Sequence, residues 1–425
     1  MDAAAPLFGV SDPTGSARYT SALTMNAAIK LASASIACVL LSGAADYRAT
    51  AQSPASAPQP PEIIGRVTAA DLDLEVAYCD QIPMSRGEKA DAVFLAGTDM
   101  YVVFARHGVA RIDRASGKLI WRRMVAHSTD RILGIDVARQ DEGPGEVLVT
   151  CTTDVWSLDR ISGAPKNAQE LATTPCTSAT LYGPFLIYGT KTGRVQWQHF
   201  MVGAPWRMNA LRGAVSPNPV LVGDRIAAAS EGGTVIVLDA DTADEVWTRR
   251  LPGGVRGALA FDGRTVFVGC DDQYIYAFDA HDGRTRWKYF SERPVRSNAT
   301  LVGDALCIDT GDKGLLCFEA YPAIPAATIR WEAPTLHGTV IARTTGRMLL
   351  WDSAQTRLYS LDARTGEVLR QVELPGIVQV VATDPELGEL IILHRDGRVE
   401  TLRARGGAPA SGVSPSTATA GAANR

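Results

Sequence analysis

What this chain of 425 residues lacks narrows its chemistry first. No apolar run is long enough to span a bilayer; the best, "LASASIACVLL" (31 to 41), has 11 residues. No two cysteines are adjacent, and no Cys-x-x-Cys-His run offers a c-type haem attachment. The six histidines (His107, His127, His199, His281, His337, His394) stand singly, with no second His or Cys at metal-ligand spacing, so no zinc site is expected. Neither a nucleophile elbow nor a phosphate-binding glycine loop is present; Gly232-Gly233 and Gly253-Gly254 read as turns. Asp271-Asp272 and the acids between Asp309 and Asp312 lack the pattern of a calcium loop and read as solvated turns. Basic residues are not in excess: 42 Lys and Arg face 46 Asp and Glu, a net charge of −4, which excludes a dedicated nucleic-acid binder.

The composition that remains, 46% hydrophobic and 21% charged, is that of a folded chain with a sizeable core. Residues 1 to 51 read as a signal segment: Lys30 precedes the apolar run, and Ala49-Thr50-Ala51 satisfies the small-x-small cleavage rule. Met25 stands where such a segment would begin, so residues 1 to 24 read as an over-called start. Residues 52 to 65, with "SPASAPQPP" (53 to 61), read as a flexible linker, and 406 to 425 as a disordered tail. No lipid anchor is expected at Cys38, because Ser35-Ile36-Ala37 lacks the usual Leu and apolar residues continue past the Cys. The expected location is periplasmic or extracellular, with no membrane span in the mature chain. Six cysteines then remain (Cys79, Cys151, Cys176, Cys270, Cys307, Cys317). Cys307 and Cys317, on the two arms of one turn, are the pair best placed for a disulfide, or equally two small buried hydrophobes.

One phrase recurs: "VARIDRASGKLIW" (109 to 121), "VIVLDADTADEVW" (235 to 247), "IYAFDAHDGRTRW" (275 to 287). Aligned on the residue that closes the strand before the turn, the units fall at Asp113, Asp159, near His199, at Asp239, Asp279, Glu319, Asp362 and near Leu402, a period of about 40 residues across 66 to 405. Each unit breaks into four short strands, clearest in 257 to 290: Gly257 to Phe261, Thr265 to Gly269, Tyr274 to Phe278, and a fourth holding Trp287. Four antiparallel strands per 40 residues make a propeller blade. The spacing therefore predicts an all-β, eight-bladed β-propeller of four-stranded antiparallel blades, starting near Val93, Arg131, Ser178, Asn218, Gly257, Asn298, Gly338 and Ile377. The last unit shows three strands, and the segment 72 to 84 is expected to supply its outer strand and close the ring.

The repeat residues read as structural. Asp113, Asp239, Asp279 and Asp362 can accept turn amides, Gly117, Gly283 and Gly366 can take positive φ, and Trp121, Trp247 and Trp287, eight residues past each Asp, can pack between blades.

With these residues in view, the chain resembles the pyrroloquinoline-quinone (PQQ)-like β-propeller repeat family, the quinoprotein alcohol dehydrogenase-like superfamily. The match rests on the phrase "(V/L)xxLDAxTGxxxW", seen again in "LYSLDARTGEVLR" (358 to 370). That resemblance implies the propeller fold and leaves function open, since enzymes and non-catalytic scaffolds share it. The enzymes bring a disulfide of adjacent cysteines, a calcium site of Glu, Asn and Asp, a catalytic Asp and long inter-blade insertions; this sequence has neither adjacent cysteines nor such insertions. No catalytic, cofactor-binding or metal-binding residue is carried over, and no cofactor is expected; PQQ with calcium is the alternative. The non-catalytic branch includes the propeller lipoprotein of the outer-membrane β-barrel assembly machinery, which this chain is similar to in size, blade number and export signal, though without a lipidation site. The only Trp-Asp pair, Trp351-Asp352, does not end a repeat, which argues against WD repeats.

Two candidate binding features follow. Arg131, Arg256 and Arg296 each precede the first strand of a blade, with Arg212 and Lys89 more loosely placed. A propeller brings such loops to one rim of its channel, where guanidinium groups could hold an anionic ligand or acidic peptide, or pair locally with Glu231, Asp271 or Asp312. The third unit, "VQWQHFMVGAPWRMN" (195 to 209), reads as having lost its Asp/Gly turn. Trp206, Met201 and Met208 there could face a partner or repack the outer strand. The reading is an exported, monomeric, non-catalytic scaffold for envelope protein partners, with a divergent PQQ-dependent oxidoreductase as the alternative.

Overall fold

The computed structural model describes residues 60 to 405, apart from 128, 139 to 144 and 387. The signal segment, the linker up to residue 59 and the tail from 406 lie outside the described residues. A short helix α1 (Arg66–Asp71) precedes 32 strands, β1 (Leu74–Gln81) through β32 (Arg398–Ala404). They form eight separate four-stranded antiparallel sheets: β2 to β5 within 90 to 124, β6 to β9 within 132 to 170, β10 to β13 within 180 to 210, β14 to β17 within 220 to 250, β18 to β21 within 260 to 290, β22 to β25 within 300 to 333, β26 to β29 within 339 to 373, and β30, β31 and β32 with β1. The molecule is the predicted eight-bladed propeller.

Ring closure follows the predicted route. β1 runs antiparallel to β32, from Leu74 opposite Ala404 to Gln81 opposite Arg398, and so becomes the outer strand of the eighth blade. The residues just before it are docked: the Glu400 carboxylate accepts the Ile63 amide and, at 3.3 Å, the Ile64 amide, and Arg398 Nη1 donates to the Pro61 carbonyl at 3.1 Å. Residues 61 to 64 are therefore docked on blade 8 and are not linker, with the Arg398 side chain donating to their backbone and Glu400 accepting from it. Ile64 joins the cluster that α1 covers between blades 7 and 8. In the fifth blade the first strand is shorter than predicted, Ala260–Phe261. The reason is a lateral bond: Ala299 N donates to Ala258 O at 2.9 Å, so the start of this strand pairs with the next blade and not with its own sheet.

The core is eight radial wedges. Each large apolar cluster draws on two neighbouring blades, as Val235, Val237 and Trp247 of the fourth meet Phe261, Val266 and Phe278 of the fifth. Strand alternation explains this, since each sheet sends one set of side chains to either neighbour and both faces are buried.

The repeat phrase is the joint between wedges. Asp113 accepts the Ser116 amide and hydroxyl, both at 2.7 Å, and Asp362 the Arg364 and Thr365 amides, both at 2.9 Å. Hydrogen bonds from the Ser116 hydroxyl and amide hold the Asp113 carboxyl below its usual range. Four residues on, Gly117, Gly163, Gly283 and Gly366 take φ of 76°, 68°, 68° and 74°. The Trp of the preceding blade then lies flat on that turn. Trp247 Nε1 donates to Ala280 O at 2.8 Å, Trp121 to Arg160 O at 2.9 Å, and Trp331, in spite of the insertion before it, to Ala363 O at 3.1 Å. The glycine thus answers two demands: a Cβ on Gly283 would meet the Trp247 ring at 2.6 Å, as well as forcing a side chain into positive φ.

The outer strands of the second and seventh blades carry Asn167 and Arg370 at the Trp position, and two further joints fill it differently. At ring closure Tyr78 of β1 takes the place of Trp, its ring against Gly117 and its hydroxyl donating to Arg114 O at 2.9 Å. In the third blade, Arg207 occupies the usual Trp position, and Trp197 on the neighbouring strand reaches the same kind of acceptor, Ala240 O, at 3.1 Å.

Candidate functional site

Antiparallel order sorts the connections. Those between second and third strands, and those between blades, share one face; the turns holding the repeat Asp lie on the other. Arg131, Arg212, Arg256 and Arg296 all fall on the first face, in inter-blade connections.

The structure ties two of them up. Arg256 binds Glu231 Oε2 at 2.9 Å and Asp271 Oδ2 at 3.0 Å, while Arg296 binds Asp271 Oδ1 at 2.7 Å. The Ser216 hydroxyl donates to the other oxygen of Glu231, completing a chain of alternating partners along five connections. Against the upward pull of partial burial, hydrogen bonds from Arg296 and Arg256 hold the Asp271 carboxyl below its usual range. These two guanidinium groups therefore meet their charge locally. Asp309 is likewise engaged, accepting the Gly338 amide at 2.9 Å with His337 Nδ1 at 3.3 Å.

Arg131 and Arg212 behave differently. Both are exposed and neither makes an ion pair among the described residues; the same holds for Arg106, Lys191 and Lys89. Arg106 and Lys191 sit in the second-to-third-strand connections of the first and third blades, and Lys89 just before the first blade. Lys191 occupies the position that Glu231 and Asp271 hold one and two repeats later, eight residues before the anchor. The inter-blade arginines are thus divided: Arg256 and Arg296 are neutralised by Glu231 and Asp271, while Arg131 and Arg212, with Arg106, Lys191 and Lys89 nearby, have no ion pair among the described residues. Sequence reasoning grouped the arginines correctly by position and could not sort them, because the sorting depends on which repeat carries an acid at that offset.

The third blade also needs a correction. Its turn is not lost: Gly203 has φ 77° and its N–H donates to His199 O at 2.9 Å, the bond Gly117, Gly163, Gly283 and Gly366 make to their Asp carbonyls. Only the carboxylate is replaced, by His199. Met201 and Met208 are 78% and 50% exposed, so they do not repack the blade. Trp206 is 43% exposed and stacks on Phe185, centroids 4.3 Å apart. Met201 lies on the turn face, opposite the arginines, so the two candidate features do not form one site.

Cys307 and Cys317 face each other in register on adjacent strands, both buried as free thiols. Their hydrogen-bonding to each other and burial push the Cys307 thiol well up. Among the described residues, no group of three or more His, Cys, Asp or Glu could hold a metal ion, and no helix is long and apolar enough to cross a membrane.

Sequence reasoning missed a buried charge cluster at the first joint. Asp99, 3% exposed, binds Arg160 Nε at 2.7 Å and Arg111 Nη2 at 3.0 Å and accepts the Tyr101 hydroxyl at 3.2 Å. These four residues are spread over two repeats, and no local pattern links them.

Comparison with known proteins agrees with this geometry. The family model described as "Outer membrane protein assembly factor BamB" matches residues 186 to 321. The chain is 29% identical over 327 residues to the outer membrane protein assembly factor BamB of Burkholderia pseudomallei (strain K96243), covering 73% of this chain and 83% of that protein. To its counterpart in Yersinia pestis it is 23% identical over 129 residues, 28% of this chain and 33% of that one. Among solved structures, BamB from Moraxella catarrhalis superposes with a TM-score of 0.62 at 18% identity, over 79% of this chain and 99% of that one. The computationally designed Ika8 protein superposes with a TM-score of 0.58 at 14% identity, over 74% and 96%. The resemblance carried by the repeat phrase is thus to the PQQ-like propellers of the BamB kind.

Proposed function

We propose that this chain, a PQQ-like propeller resembling the assembly factors BamB, is an exported, non-catalytic scaffold of the cell envelope that serves outer membrane protein assembly by holding a protein partner. The observation that carries the reading is the division of the channel face. Arg131, Arg212, Arg106, Lys191 and Lys89 lack acid partners among the described residues, while Arg256 and Arg296 are neutralised. A surface of this kind steers and orients an acidic partner more than it adds raw affinity. The protein works as a monomeric propeller in the periplasm, and the exposed Met201, Trp206 and Met208 form a second contact on the opposite face.

The residues do not fit a quinone and its calcium. On the channel face the acids that could ligate a cation, Glu231 and Asp271, are bound by Arg256 and Arg296, and Asp309 holds the Gly338 amide.

The test is affinity capture from envelope extract with the wild type, the pair Arg131→Glu and Arg212→Glu, and Arg256→Ala. Loss of the same captured protein in the charge-reversed pair, with retention in Arg256→Ala, is the expected result. Equal capture by all three would remove the channel face from the reading. A melt of the protein with PQQ and calcium should show no shift, since only a ligand of the folded state raises the midpoint; a saturable rise would restore the oxidoreductase alternative.

A further inference from the structure

The outer wall of the fifth blade combines three features: an open strand edge, a cation beside it with no carboxylate partner among the described residues, and an anchored arm across from it. β21 (Thr285–Phe290) is the last strand of its sheet. Ser291 N donates to Gln273 O at 2.9 Å, so alternation turns the backbones of Tyr289 and Trp287 toward β20 (Tyr274–Asp279) and those of Lys288 and Phe290 outward. The N–H and C=O groups of Lys288 and Phe290 make no backbone bond among the described residues.

The side chains on this edge are equally uncommitted. Phe290 is 49% exposed, its ring 5.1 Å from Tyr274. The Lys288 ammonium lies 4.8 Å from the Tyr274 ring and has no carboxylate partner among the described residues. The inserted stretch between Glu319 and Ile329 forms the facing wall. It is anchored by Tyr321, whose hydroxyl donates to Asp262, and its Pro325, Ala326 and Ala327 bound a groove of about 630 Å³ along β21. A similar groove of about 610 Å³ follows β29 (Val368–Glu373), where Arg357 is paired with Glu373 and Arg370 has no carboxylate partner among the described residues, but that strand carries no aromatic side chain to match Phe290. The outer strands of the second and third blades open with Pro165 and Pro205, a residue type that blunts an edge.

We infer that the groove along β21 receives an extended segment of a partner polypeptide as a fifth strand of this blade, with an acidic side chain facing Lys288 and an apolar one against Phe290. Strand addition takes its affinity from main-chain hydrogen bonds and its selectivity from alternate side chains, which is what this edge leaves open. The charge assignment follows from Lys288, the cation on this edge without an acid. The inference rests on the scaffold reading and names one mode by which such a partner is held, on a surface separate from the channel face.

A fluorescein-labelled peptide of alternating valine and threonine with a central glutamate, titrated with the purified protein and followed by anisotropy, tests it. Saturable binding is expected, weakened about tenfold or more by Lys288→Glu and abolished when alternate residues of the peptide carry N-methyl groups. An unchanged melting temperature establishes that Lys288→Glu folds. Absence of saturable binding, or binding indifferent to N-methylation or to Lys288→Glu, overturns the inference. The Arg131→Glu and Arg212→Glu pair should bind the peptide as the wild type does. If that pair loses its captured envelope protein while the peptide never binds wild type, the edge inference falls and the scaffold reading stands. If the peptide binds as expected while the pair still captures, the channel-face reading falls instead.

Discussion

Replacing Gly283 by Ala separates two physical roles that the repeat glycine plays at once. At φ 68°, an Ala carries the left-handed penalty of about 1 to 2 kcal/mol, offset by about 0.4 to 1 kcal/mol from a stiffer unfolded chain. That part alone applies to Gly223→Ala, where φ is 60° and no atom lies within 4 Å of the added methyl. At Gly283 the methyl also meets the Trp247 ring at 2.6 Å, and Trp247 cannot withdraw without giving up its bond to Ala280 O. Overpacking of this kind adds about 1 to 3 kcal/mol. Gly283→Ala should therefore lower the calorimetric midpoint further than Gly223→Ala, by about 2 to 6 °C at about 2 °C per kcal/mol for a chain of this size. Trp247→Ala costs about 3 to 5 kcal/mol by itself, but in its background the excess cost of Gly283→Ala should vanish. Equal midpoints for Gly283→Ala and Gly223→Ala, or an excess that survives Trp247→Ala, would refute the joint as described. The chain already contains the exception that fits: Ala243 holds the turn position at φ 56° in the fourth blade, where the preceding outer strand offers Arg207 and not Trp.

Three further outcomes are expected. Asp99→Asn strips the carboxylate from between Arg111 and Arg160 and should destabilise the protein by about 3 kcal/mol, the low end for a broken buried pair because Arg160 is partly exposed; denaturant melts read this, and a change under about 1 kcal/mol would mean the cluster is solvated. Burial raises the Glu400 carboxyl, with the Ile63 and Ile64 amides opposing, so the folded state binds the proton more tightly than the unfolded one. Its contribution is then fully present below the ordinary Glu range and is lost as pH rises through the folded value. Glu400→Gln should flatten the pH dependence of the midpoint in that window, and parallel curves would contradict it. Burial pushes the Cys79, Cys151 and Cys270 thiols up to about 12, so at pH 8 almost no thiolate forms. Maleimide labelling mapped by mass spectrometry should therefore miss them in the native protein and find them after unfolding; prompt native labelling would show that the blades open.

The period, the number of blades and the route of ring closure could be read directly from the chain, because each repeat carries its own turn chemistry and a blade is local in sequence. Asp279, Gly283 and Trp287 lie within nine residues, and each names its role by residue type and spacing. What lies between blades could not be read this way. Tyr78 serves in place of Trp because ring closure sets it on Gly117, and Trp197 serves from the wrong strand because Arg207 holds the expected place.

The candidate site divides along the same line. Sequence position alone put Arg131, Arg212, Arg256 and Arg296 on one face, since the face is fixed by which connection a residue occupies. Only the folded ring decided that Arg256 and Arg296 meet Glu231 and Asp271 while Arg131 and Arg212 meet no acid among the described residues, because an ion pair needs contact across repeats 15 or more residues apart. A repeating sequence determines its own unit; the charges left over for a partner are settled by how neighbouring units fall against each other.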